Sequence, residues 1–468
     1  MQTVPHRCSS YEAFGDPVKD WAARLTAGLD RNLQASDHSL GHIEEEIAQQ
    51  TRELERCVAQ EVAQKKADQC SANCPVCGTK LRRVTRGHER TIETRFGPIK
   101  LKRSRGWCPR CKRWCFPADH ALGIAETGSA SPGVQEMAAL LGSKMPITEA
   151  SAVIKRLTGV DLPRATLDRE AKRQGQRAER KREKLDEQMR TAEGARAQGR
   201  GASTAPFTLV IEIDAWNIRE RDDWGQSQRQ RAQGREPERW HWVYGATCFR
   251  LEDRLTKGQR AMILSRGTVM TRDGIEGLKS QLWAEAMRHG LASAARVLVL
   301  ADGAVWIWNL VADRFEKAVQ RLDLYHGKEH LWSVARTLYP EDPATARAWV
   351  KPLLKDLECD RARDVIATLE DLVEAMQGNG REIVEKEINY FGSNLQRMKY
   401  KEGKKRGEPL GSGAIESTCR QYQCRFKRPG QFWSRTGDEA LMCLETFWRN
   451  GRWHLLFPHC ALSDLSRN

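Results

Sequence analysis

The sequence predicts a multidomain α+β protein in which a metal-knuckle and helical N-terminal half precedes an α/β core interrupted by an all-α insertion. Two Cys-x-x-Cys pairs, Cys74-Pro-Val-Cys77 and Cys108-Pro-Arg-Cys111, flank a short basic segment. Three strand-like runs, 207–213, 297–301 and 318–322, of which 297–301 is wholly apolar, each stop at an acid: Asp214, Asp302 and Asp323. From 343 to about 402 the pattern is helical with few strand formers, which splits the strand-rich part of the chain. At 468 residues the chain exceeds one domain and is long enough to bury a full core.

Residues 1–69 form the N-terminal helical region. Ile43, Ile47, Leu54, Val58 and Val62 recur at helical spacing among charges, which predicts a long amphipathic helix over 38–67. Its stripe packs on its own domain or on a second copy of the chain.

Residues 70–120 read as a zinc ribbon. Each knuckle presents two thiolates to one tetrahedral ion, so Cys74, Cys77, Cys108 and Cys111 are the expected ligands of a structural Zn2+ that replaces a core too small to fold alone. Cys70, Cys115 and His120 lie near in sequence but are not counted as ligands. The other cysteines of the fourteen are scattered, a usage suited to a reducing compartment. Between the knuckles the alternation fits a hairpin turning at Phe96-Gly97-Pro98. Over 70–120 thirteen Lys and Arg stand against three acids, a surplus of ten out of a net +15 for the chain. Charge concentrated in this way points to phosphate contacts through Arg82, Arg83, Arg86, Lys100, Lys102 and Arg103, the alternative being a solvated basic hairpin.

Residues 121–176 read as three short helices. Ser131-Pro132 supplies an N-cap and a proline in the first turn, 147–157 is the second helix, closed by Gly159, and 164–174 is the third. The third carries Arg164, Arg169, Lys172 and Arg173, which suits either a helix-turn-helix reading a major groove or a connector with a basic face. A charged helix and a Gly/Ala/Ser-rich linker then occupy 177–205.

The core is expected in three parts: 206–340, an inserted helical domain at 341–405, and a C-terminal segment at 406–468. After the Asp214 strand, 217–239 reads as a polar loop, followed by strands at 241–250 and 261–265, a helix at 275–289 and the Asp302 strand. A three-strand meander, a crossover helix, a strand, a helix and a final strand is the order of a ribonuclease-H-like sheet, in which the first and fourth strands are neighbours. Neighbouring backbones lie about 4.8 Å apart, which brings Asp214 and Asp302 within reach of a shared pair of metal ions. Glu212 shares a face with Asp214, because the side-chain period of a strand is two, and the pattern alone does not choose between them. Trp306 and Trp308 read as packing residues. Ser412 can cap a helix whose first turn holds Glu416, an acid that also suits the helix dipole or an ion pair with Arg420. Arg425, Lys427 and Arg428, with Trp433 just beyond, form a basic stretch suited to DNA or to packing of the last helix.

In order, IEIDAW, LADGAVWIWN, LDLYHGKEHLW, NLQRMKY and GSGAIESTCR resemble the ISKra-type branch of bacterial insertion-sequence transposases, DDE enzymes with a ribonuclease-H-like core, distantly related to Mutator-like transposases. The resemblance runs from about Cys74 to about Phe457. It implies Asp214, Asp302 and Glu416 as catalytic acids holding two Mg2+ (or Mn2+), ranks Asp214 above Glu212, and implies His326 close to the site. Asp323 and His326 are similar to the Asp-x-x-His element of the Mutator-like relatives. The resemblance also implies the helical insertion, double-stranded DNA partners (terminal inverted repeats and target), and action as a homodimer or larger assembly.

The pI near 9.3 agrees with a nucleic-acid partner. No basic start followed by an apolar core and no run of about 18 apolar residues occurs, so neither secretion nor a membrane partner is expected, and a cytoplasmic, nucleoid-associated protein is. The expected activity is metal-dependent DNA cleavage and strand transfer. The competing expectations are a domesticated DNA-binding protein without catalysis and a nuclease that cuts without joining.

Overall fold

The computed structural model describes residues 15–199, 205–221, 227–235, 239–257, 260–374 and 376–458. Parts of the expected N-terminal region, of the linker (200–204), of the polar segment (222–226 and 236–238) and of the C-terminal segment (459–468) lie outside the described residues. The chain divides into two compact units, Met1–Gln174 and Gly175–Asn468.

The first unit begins with helices α1 (Gly15–Gln34) and α2 (Leu40–Asp68), followed by strands β1 (Arg82–Thr94), β2 (Gly97–Cys108) and β3 (Arg113–Cys115) in an antiparallel sheet. The C-terminal end of α2 sets Ala63 and Ala67 against Ile92, Ile99 and Leu101 of the hairpin. From the same helix, the Gln60 and Gln64 side chains accept from Lys100 N (3.0 Å) and Lys102 N (2.9 Å), satisfying backbone groups of β2 where β3 no longer pairs. Of the expected stripe, Ile47 and Val62 remain exposed.

After α3 (Pro117–Ala121), helices α4 (Pro132–Lys144), α5 (Ile147–Thr158) and α6 (Arg164–Gln188) surround a core of Val134, Ala138, Ile154, Leu162 and Leu167. The Ser131 hydroxyl accepts from Val134 N at 3.3 Å, and Gly159 closes α5 at φ 70°. The third helix does not stop at 174. It runs on through the expected charged helix, because no Gly cap or Pro interrupts it; Gly175 alone is too weak a breaker.

The second unit is mixed α+β. Part of the expected linker is helical, α7 (Ala192–Gln198). Next come β4 (Thr208–Glu220), α8 (Ser227–Ala232), β5 (Arg239–Arg250), the hairpin β6 (Arg254–Lys257) and β7 (Arg260–Ile263), and β8 (Gly267–Thr271). Helix α9 (Gly274–Arg288), β9 (Arg296–Ala301), α10 (Val305–Arg314), β10 (Val319–Leu322) and α11 (Leu324–Leu338) follow. The main sheet has the order β10-β9-β4-β5-β8; β5 is antiparallel to both its neighbours, β4 and β8, and β4, β9 and β10 run parallel.

The third strand of the meander is therefore β8, not 261–265. The latter pairs with β6 as a separate two-stranded ribbon. β9 is apolar from Val297 onward because both its faces are covered: Val299 and Ala301 enter one core, Leu298 and Leu300 the other. β4 does not end at Asp214, and 217–239 is not all loop: the β5 ladder continues to Glu220, while the parallel ladder with β9 stops at Glu212↔Leu300.

Helices α12 (Pro343–Glu358), α13 (Ala362–Glu374), α14 (Asn379–Asn394) and α15 (Tyr400–Lys405) form the expected insertion. They do not make a core of their own. Val350, Leu357, Leu369 and Phe391 join the same apolar cluster as Ile211 and Val299. Helices α16 (Gly413–Phe426) and α17 (Arg435–Arg449) close the described chain. Among the described residues no helix is long and apolar enough to cross a membrane.

Candidate functional site

β4 and β9 place two of the expected acids. Their register pairs Glu212 with Leu300, so two residues further on, and on the same face, Asp214 comes beside Asp302. Asp302 follows the last residue of β9, its Oδ1 accepting from Ala304 N at 3.0 Å. The turn there requires glycine: Gly303 has φ 97°, and a Cβ would lie 2.9 Å from both Leu322 and the Tyr390 ring. Tyr390, on α14, donates its hydroxyl to the Asp302 carbonyl at 2.9 Å and stacks on His330 of α11, ring centroids 3.7 Å apart. The helical insertion thus clamps the Asp302 turn.

Asp214 and Glu416 both line one cleft of about 950 Å³, together with Tyr325, His326, Glu329, Cys419 and Arg420. Burial raises the Asp214 carboxyl, opposed by the hydrogen bond from Ala215 N, and the Asp302 charge raises it further. Cys419, buried on α16, directs its thiol to Asp214. His326 occupies the first turn of α11, half-buried, with Nδ1 3.8 Å from Glu329.

Two further carboxylates, buried beneath the cleft, assemble it. Asp323 is fully buried. Its Oδ1 accepts from Tyr325 N (2.6 Å) and His326 N (3.1 Å), capping α11, and its Oδ2 accepts from Ser412 N and the Ser412 hydroxyl (both 2.6 Å). Ser412 therefore does not cap α16 with its side chain. Glu212 Oε2 accepts from Ile415 N at 2.9 Å in the first turn of that helix. Glu212 is 1% exposed, and burial pushes its carboxyl up to about 8. Geometry separates the two acids that the pattern leaves equivalent: Asp214 faces the cleft, whereas Glu212 anchors the helix that carries Glu416. Asp323 advertises its role in sequence as an acid just before a helix; the partner of Glu212, some two hundred residues away, has no local signal.

Among the described residues the cysteine quartet alone groups three or more His, Cys, Asp or Glu ligand atoms within 4.8 Å of one another. Asp214, Asp302 and Glu416 do not form such a group. Cys77 Sγ lies 3.5 Å from Cys108 Sγ, and Cys74 Sγ 3.9 Å from Cys111 Sγ. Four sulfurs at about 2.3 Å from a tetrahedral zinc are about 3.8 Å apart, so the quartet fits a structural metal such as zinc. In each knuckle the residue after the second cysteine turns left-handed, Gly78 at φ 73° and Lys112 at φ 52°, and Cys111 N donates to Cys108 Sγ. Thr79 holds the Cys77 thiol down to about 6, favouring the thiolate. Cys115, passed over in sequence, lies 3.9 Å from Cys74 Sγ, while the Cys70 thiol turns to the Lys66 carbonyl.

The basic residues sort by exposure. Arg82, Arg83, Arg86, Lys100 and Lys102 are exposed on the hairpin, and Arg164, Arg169 and Lys172 on α6. Arg103 is not available for phosphate: it is 8% exposed, ion-paired with buried Asp119 beside Arg90, and lies over the Phe116 ring at 4.2 Å. The alternation Ile99, Leu101, Arg103 signals that inward face. Arg173 pairs with buried Glu170. Arg425 is buried, 4.8 Å over the Trp433 ring, and Trp433 donates its indole N–H to the Phe426 carbonyl; both serve packing. Lys427 is exposed and Arg428 half-buried. Trp308 is buried and Trp306 packs edge-on against Tyr244, as expected.

No protein-family model matches the chain, and no curated protein does either.

Proposed function

We propose that the chain is a DNA transposase of an insertion sequence, one that binds terminal inverted repeats and catalyses metal-dependent cleavage and strand transfer. The observation that carries the reading is that Asp214 lies beside Asp302 across two parallel strands and shares one cleft with Glu416 of the distant helix α16. The order β10-β9-β4-β5-β8, with its strand directions, supports a ribonuclease-H-like core.

The donor set is all carboxylate oxygen, half-exposed at a cleft, and the Asp214 carboxyl is raised in part by the neighbouring Asp302 charge, a repulsion that a hard divalent cation relieves. Asp214, Asp302 and Glu416 would hold two Mg2+ or Mn2+, which when bound would supply Lewis-acid stabilisation for phosphodiester hydrolysis and transesterification. His326, on the cleft wall, contacts a phosphate oxygen or moves a proton at its imidazole. The exposed cations of the zinc ribbon and of α6 hold terminal-repeat DNA, and two ends are processed by a dimer or larger assembly.

The test is a cleavage and strand-transfer assay with the element's own ends. Asp214→Asn, Asp302→Asn and Glu416→Gln each lower cleavage by more than about 100-fold while DNA affinity holds, since removing even an outer partner of a metal costs 10–100-fold. Near-normal strand transfer by any one of them removes that residue from the site. Cleavage without joining by the wild type identifies a nuclease.

A further inference from the structure

On the sheet face opposite Asp214, the β4–β5 ladder continues past Tyr244 to Glu220↔Arg239. Tyr244 of β5 is covered by Trp306 of α10, with ring centroids 5.2 Å apart. The next residues of β5 on that face, Trp242 and Trp240, are each 54% exposed. Across the ladder they face Asn217 and Arg219. The segment after α16 lies alongside: Trp433 N donates to Arg219 O (3.1 Å) and Arg221 N to Trp433 O (2.9 Å). With Trp433 turned inward, Phe432 turns to the outer face, where Arg221 and Arg219 sit 4.2 and 4.8 Å from its ring. Arg219 and Lys427 each lie 5.4 Å from the Trp240 ring centroid.

Exposed rings interleaved with three cations suit a ligand that offers π faces and negative charge at regular intervals. Bases in a duplex are already stacked on one another and present only their edges, so the matching ligand is an unpaired strand. The geometry points to Trp240 and Trp242, with Arg219, Arg221 and Lys427, as a stacking platform for single-stranded DNA. Five residues separate Arg219 from Asp214, about 17 Å along the strand. The platform thus extends the phosphodiester reading by holding an unpaired strand as it leaves the acids; it rests on that reading for its role but not for its test.

The test is fluorescence anisotropy of the full-length, zinc-loaded protein with a labelled oligothymidylate of about 12 nucleotides, within the usual site size, and with a duplex of equal length, both without added Mg2+ or Mn2+ and without chelator. Without added magnesium or manganese, binding is read whether or not the acids cleave DNA. Trp240→Ala and Trp242→Ala each weaken single-strand binding about 5- to 100-fold and leave duplex binding within about twofold. Trp240→Phe, which keeps a ring face, retains most of the affinity and guards against misfolding of the alanine variant. Unchanged single-strand affinity, or equal loss on single strand and duplex, overturns the proposal. So does a double variant that changes only the sedimentation coefficient, which assigns the patch to self-association.

Discussion

Replacing Glu212 by glutamine separates the helix anchor from the catalytic acids. The side chain is fully buried, and its carboxyl titrates near 8 in the fold against 4.5 in the unfolded chain. A raised pKa means that the folded state holds the proton more tightly. The stabilisation is complete below pH 4.5 and is lost as pH climbs through 8. At 1.36 kcal/mol per unit, linkage gives a loss of about 3 kcal/mol between pH 5 and pH 8. Glutamine cannot ionise, yet its amide oxygen still accepts from Ile415 N. The stability of Glu212→Gln relative to wild type therefore rises by about 3 kcal/mol over that interval, a change of about 1 M in the urea midpoint gap for a slope near 3 kcal/mol per M. Urea titrations of the zinc-loaded protein without added Mg2+ at the two pH values, followed by tryptophan fluorescence, report it, since twelve of the fifteen tryptophans follow residue 206. A midpoint gap that does not move with pH refutes the reasoning, for it means that Glu212 is ionised in the fold and free for another role. In the cleavage assay Glu212→Gln keeps activity where Asp214→Asn loses it.

Elemental analysis of freshly purified protein finds one tightly held zinc per chain, and Cys77→Ser with Cys111→Ser abolishes it together with the ribbon's fold, since such an ion supplies on the order of 10 kcal/mol; metal-free wild type, or unchanged zinc in the variant, contradicts this. Asp323→Asn turns an amide N–H₂ toward groups that themselves donate, so it lowers stability by about 3 kcal/mol and slows cleavage without weakening DNA binding; a loss under about 0.5 kcal/mol denies Asp323 its anchoring role. Arg103→Ala removes a partner of buried Asp119 and costs about 3 kcal/mol, whereas Arg86→Ala leaves the melting temperature nearly unchanged and reduces the salt slope of DNA binding by about 0.9. The reverse pattern, a stable Arg103→Ala that binds DNA poorly, returns Arg103 to the DNA surface.

What the sequence determined by itself is what short-range periodicity encodes. The two knuckles are legible because each ligand pair sits three residues apart on one tight turn, and the ion needs only two such turns to meet. Asp302 is legible because the apolar run 297–301 stops at it, and Asp323 because an acid directly before a helix is a capping signal. The Ser131 cap and the Gly159 stop follow from backbone chemistry within a few residues. Tertiary structure alone decided the rest. Glu212 and Asp214 are equivalent in pattern, two residues apart on one face, and only the landing place of α16 buries one and opens the other to the cleft. Arg103 continues the inward alternation of Ile99 and Leu101, but that a cation is held there rather than turned to solvent depends on Asp119 arriving from α3. Arg425 reads as a DNA contact until Trp433 folds back over it. In each case the deciding term is the desolvation of a charge by a segment distant in sequence, and local periodicity carries no information about which segment that is.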